Sequence, residues 1–181
     1  MTIQFLILLE LAFFVLHEFE EIITIEIWYK RNEAKIKSLW PVRKPFGLDQ
    51  YGDSFREKNM TASIAFAIMF QVVFFVLLST LSIVFDGYLI WYGAILGSLV
   101  MSTWIHLRLA IRFRQYTPGI ITTIVFFVPM VWVFYKSTVL LNYGIVPILI
   151  STILTNVLSA VIVFQVLHPL VKVTQKFFGT K

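Results

Sequence analysis

Glu10-Leu11-Ala12-Phe13-Phe14-Val15-Leu16-His17-Glu18-Phe19-Glu20-Glu21 lies inside the first apolar segment of the chain. The segment is long enough for a bilayer, yet it carries five ionisable residues here and a sixth, Glu26, just beyond. Half of the ten acidic residues of the protein fall on it. Charged side chains at membrane depth cost roughly 2.5–3.5 kcal/mol each even on lenient insertion scales. They therefore face a protein interior or cavity and mark function.

The rest of the chain has the same membrane character. Of its 181 residues 59% are hydrophobic, 17% aromatic and 14% charged, with a mean hydropathy of +0.84. Soluble domains carry about 25% charged residues. Apolar residues come in blocks of about 20, the length of one helical span. The blocks predict an all-α integral membrane bundle of five transmembrane helices in one domain, 1–181. Spans are expected near 3–25, 61–85, 88–109, 118–135 and 145–167, with a polar cytoplasmic loop over 28–60. A short interfacial helix is expected within that loop, over 32–40. The first segment lacks a basic n-region and reads as a retained span. Thr117 is expected to cap the fourth helix and Pro118 to occupy its first position. Gly93 and Gly97 give the small-xxx-small spacing of close helix contact.

Basic residues orient the bundle. The 28–60 loop, the turn around Arg108, Arg112 and Arg114, and the tail hold all but one of the 15 lysines and arginines; only Lys136 lies opposite. The positive-inside rule places the N-terminus outside and the C-terminus inside, in a multi-pass protein of the cell membrane. The net charge of +5 then points to anionic lipid rather than nucleic acid. With no cysteine, thiolate ligands and disulfides are excluded.

On a helix, with Glu10 at zero, His17 falls at about −20°, Glu21 at about +20° and Glu20 at about −80°. Glu10, His17 and Glu21 share a stripe, Glu20 edges it, Glu18 lies on the other flank and Glu26 points away. Imidazole with carboxylates three and four residues later suits a divalent metal such as zinc or iron, or proton transfer. The three histidines, His17, His106 and His168, fall on spans one, three and five at a common inner depth. That places His17, Glu21, His106 and His168 as candidate metal ligands, with Glu20 as a further catalytic candidate. Glu10 stands as a deeper buried acid. Asn156 and the interfacial Arg108 and Arg112 are candidate substrate contacts, the arginines for a phosphate headgroup. Glu18 and Glu26 read as surface charges.

His17-Glu18-Phe19-Glu20-Glu21 spells H-x-x-E-E. With His106 and the Tyr116-Thr117-Pro118-Gly119 turn, the chain resembles the HXXEE-motif family of small multi-span membrane proteins. The resemblance implies an integral membrane protein with the motif at its centre and brings no established reaction. The residues themselves favour a metal-dependent membrane hydrolase or oxidase acting on a lipid or isoprenoid at the cytoplasmic leaflet. A metal-free Glu/His isomerase, a proton-coupled carrier and a non-catalytic accessory protein stay open beside it.

Overall fold

A computed structural model describes residues 2–39 and 60–162. Within them the chain forms five helices: α1 (Ile3–Leu39), α2 (Met60–Val84), α3 (Tyr88–Phe113), α4 (Ile120–Leu141) and α5 (Ile145–Ile162). The fold is all-α. By length and apolar composition, α3 and α4 are each able to cross a membrane, while the apolar stretches of α2 and α5 are shorter.

The helices run up and down. Phe14 stacks on Phe75 at 4.5 Å and Gln71 donates to Glu18, so α2 runs antiparallel to α1. Phe13 stacks on Phe126 at 4.8 Å, which sets α4 antiparallel to α1 as well. Trp28 meets Phe113 and His17 meets His106, so α1 and α3 are parallel. α5 lies parallel to α3 and close against it. A Cβ on Gly93 would come within 2.6 Å of the Ser151 carbonyl carbon and 2.7 Å of the Thr152 nitrogen, so glycine is needed for this approach.

The first helix departs from expectation. α1 does not stop near residue 25; it continues unbroken to Leu39, through the stretch expected as loop and separate interfacial helix. The sequence 26–39 holds no proline or glycine and is rich in good helix formers. Its inner face is also paired. Trp28, Tyr29 and Ile36 bury against Ile68, Leu109 and Phe113, and Lys35 Nζ donates to the Phe113 carbonyl at 2.8 Å. That cation satisfies an otherwise orphaned carbonyl at the C-terminal end of α3. At 1.5 Å per residue α1 is about 55 Å long, well beyond a hydrocarbon layer of about 30 Å.

Among the described residues the bundle has two apolar clusters. One joins Leu6 and Ile7 of α1 to Trp91, Tyr92 and Ile95 of α3, Val133 of α4 and Ile148 of α5. The other is the Trp28–Phe113 group near the basic ends of α1 and α3. Between them lies a polar layer.

Candidate metal centre

The polar layer is built by α1, α3 and the turn into α4. Arg114 and Gly119 both adopt left-handed backbone, φ 52° and 78°, and bracket a tight turn through Gln115-Tyr116-Thr117-Pro118. α4 then starts at Ile120 with Gly119 as its N-cap. Neither Thr117 as cap nor Pro118 at the first position holds; the Thr117 hydroxyl is buried without a hydrogen-bond partner. The cap comes from another helix. Glu20 of α1 accepts the backbone N–H groups of Ile121 (3.2 Å) and Thr122 (2.7 Å), the Thr122 hydroxyl (2.5 Å) and the Tyr116 phenol (2.9 Å). A carboxylate on the second and third N–H groups of a helix is the geometry of a strong N-cap, with the helix dipole adding to it. Burial, followed by the bond to Glu20, pushes the Tyr116 phenol up to about 12, so it stays a donor at neutral pH.

This clasp fixes His17. The Thr122 hydroxyl spends its proton on Glu20, so at 2.8 Å it can only accept from His17 Nδ1–H. His106 Nδ1 likewise donates to the Pro118 carbonyl at 2.9 Å. Both imidazoles are therefore held with Nδ1 protonated and the Nε2 lone pair turned inward. Both lone pairs face one atom: Glu21 Oε1 lies 3.2 Å from His106 Nε2 and 3.9 Å from His17 Nε2. One ligand atom from each of His17, Glu21 and His106 can be chosen so that all three lie within 4.8 Å of one another. Two atoms bound to one zinc ion at 2.0–2.1 Å in a tetrahedron sit about 3.3 Å apart. A lone pair facing a carboxylate oxygen needs a proton or a cation between them. Imidazole Nε2 donors oriented by Nδ1–H bonds to backbone and hydroxyl oxygens are the arrangement metal sites use. Ser102 of α3 adds a hydroxyl 3.3 Å from His17 Nε2.

Gly119 makes room for both rings. A Cβ there would stand 2.5 Å from His106 Cε1 and 2.9 Å from His17 Cε1, and the positive φ independently favours glycine. Next to the cluster a small cleft, with a cavity volume of about 30 Å³, opens between α1, α3 and α4. Its walls include Phe13, Phe14, Leu99, Phe126 and Met130; His17, Ser102 and Thr122 provide its polar side.

The expected residues sort as follows. His17, Glu21 and His106 converge. Glu20 does not join them, because its two oxygens are engaged with the α4 start. His168 lies outside the described residues. Arg108 and Arg112 are exposed on α3, away from the buried His106. Asn156 packs on Gly97 and donates to the Thr152 carbonyl at 2.7 Å, on the α3–α5 contact. Glu10 is fully buried, two turns from His17. Glu26 pairs with Lys30 one turn on, as a surface charge. Glu18 is the correction: it is 4% exposed and faces Gln71 of α2, because the 80° flank of α1 is covered by that helix. Thr122, Ser102 and Gly119 are additions. Only the Tyr116-Thr117-Pro118-Gly119 turn hinted at them, since nothing local says that a threonine three residues later meets a histidine 105 positions away.

The model of a family described as a protein of unknown function with HXXEE motif matches residues 8–135, more than half of the chain. No curated protein and no solved structure matches. The match spans the motif, His106 and the turn, all of which contribute to the cluster.

Proposed function

The chain belongs to the HXXEE-motif family, and from that premise we propose a metal-dependent enzyme embedded in the membrane. Its His17–Glu21–His106 centre holds a divalent cation, zinc or iron, and acts on a lipid or isoprenoid entering from the cytoplasmic leaflet. One observation carries this reading: two imidazoles, each locked with Nδ1–H outward, aim Nε2 at a single carboxylate oxygen. Such a cation supplies Lewis-acid activation of water for hydrolysis or, as iron, a centre for oxidation. Three protein ligands leave a coordination position free for water or substrate.

Membrane placement is supported by the surface. Ile121, Ile124, Val125 and Val128 on α4 and Ile153, Leu154, Val157 and Val161 on α5 are all exposed. Soluble monomers rarely show contiguous apolar surface beyond a few hundred Å². In the five-span reading Lys30, Arg31, Lys35, Arg108, Arg112 and Arg114 share one end of the bundle with the α1 and α3 C-termini. The positive-inside rule makes that end cytoplasmic. His17 is then about 21 Å along α1 from Ile3, in the inner third of the bilayer. An amphiphile whose polar group entered the cleft would meet His17 and Ser102.

Elemental analysis of the purified full chain tests the centre. We expect close to one metal per chain, lost in His17→Ala with helicity unchanged. A metal content near zero in the wild type, after supplementation with zinc and with ferrous iron, overturns the reading. The 3.2 Å His106–Glu21 contact would then favour a metal-free acid–base pair for isomerisation.

A further inference from the structure

Glu10 is the one acidic residue on α1 that is fully buried with both carboxyl oxygens lacking a hydrogen-bond partner. We infer that Glu10 and Ser79 form a proton-binding site at mid-depth of the bundle, separate from the His17–Glu21–His106 centre. The inference does not rest on a metal being present.

The α1–α2 register sets the two residues at the same level of the bundle. Glu18 meets Gln71 and, one turn up, Phe14 meets Phe75. Ile83 packs among the cluster that contains Leu6 and Ile7, two further turns along. One more antiparallel step from Phe14 and Phe75 brings Glu10 opposite Ser79. Ser79 is 2% exposed, and its hydroxyl also has no partner. Buried helical hydroxyls can bond back to the carbonyl four residues earlier, as those of Ser137 and Thr155 do. Ser79 leaves that bond unmade, so its hydroxyl remains a donor and an acceptor towards α1.

Among the described residues, the other neighbours at this level offer no countercharge. Counting along α3 from the His17 contacts reaches Ile95 and Leu99, both buried. The same count along α4, from Phe126 and Thr122, reaches Pro129. On α1 itself the next titratable group is His17, about 10 Å along the axis. An ionised carboxylate here would be a buried charge with no partner, at a cost of several kcal/mol. The protonated acid is neutral, and the unbonded Ser79 hydroxyl is the polar group that the register sets opposite it on α2. Proton occupancy is thus the chemistry that this pair fits.

Infrared difference spectroscopy of the full chain in lipid vesicles decides it. The wild type should show a carbonyl band of a protonated carboxylic acid that is lost in Glu10→Gln and retained in His17→Ala. Ser79→Ala should move that band to higher frequency, as expected for a carbonyl losing a hydrogen bond, while Ser82→Ala leaves it in place. A Glu10→Gln spectrum that loses carboxylate bands instead of the acid band overturns the proposal. An unshifted acid band in Ser79→Ala overturns the pairing.

Discussion

The two halves of the bundle use the same three helices for opposite ends. Towards the start of α1, Leu6 and Ile7 meet Trp91, Tyr92, Ile95 and Val133 in apolar contact, with Tyr92 stacked on Phe134 at 4.8 Å. About three to four turns along, the same helices bring together His17, Glu18, Glu20, Glu21 and His106. The first half is filled mainly by shape, with the Tyr92 phenol bonded to the Thr138 hydroxyl. The second is tied by directed bonds: Glu20 and both Nδ1 atoms are engaged, and the atoms left turned inward are Nε2, Nε2 and a carboxylate oxygen. Within it, adjacent glutamates divide the labour. Glu20 ties α1 to α4, and Glu21 faces the imidazoles.

Replacing Trp91 with alanine is the strongest way to test that contrast. Trp91 is fully buried in the apolar half. Its loss should destabilise the bundle by about 3–5 kcal/mol, read as a lowered midpoint in detergent unfolding, with metal stoichiometry unchanged in the folded fraction. Loss of metal from well-folded Trp91→Ala would show that the two halves are not separable. Thr122→Val acts on the polar half. It removes the acceptor that orients His17, and metal affinity should fall by about 10–100-fold, the usual effect of losing an outer partner of a ligand. Thr122→Ser should restore most of it. Equal affinities in all three proteins, by competition with a chelator, would remove Thr122 from the site. Glu26→Gln marks the floor of the comparison. Its ion pair with Lys30 lies on the outside of α1, and exposed pairs are worth about 0–1 kcal/mol. Neither unfolding midpoint nor metal content should move measurably; a clear drop in either would mean that α1 is charged for a different reason.

Local sequence carried much of this architecture. Helical class follows from block length and apolar content, and the Glu10–His17–Glu21 stripe from 100° per residue. His106 was legible as a second histidine at matching depth. The end of α1 was not legible, because polar residues 28–39 look like loop until Lys35 is seen capping α3 and Trp28 stacking on Phe113. The α4 start was misassigned for a related reason. Thr117 and Pro118 satisfy every local rule for a helix beginning, but Glu20 reaches across from α1 and outcompetes them.

The sequence by itself determined that a histidine and several carboxylates share one face of an apolar helix, because helical periodicity is a local property. Only the tertiary structure decided which carboxylate does what. Glu18 is turned to α2 and Glu20 to the amides of α4, which leaves Glu21 facing both histidines. Those assignments depend on which helix covers each flank of α1, and helix neighbours are set by packing between distant segments.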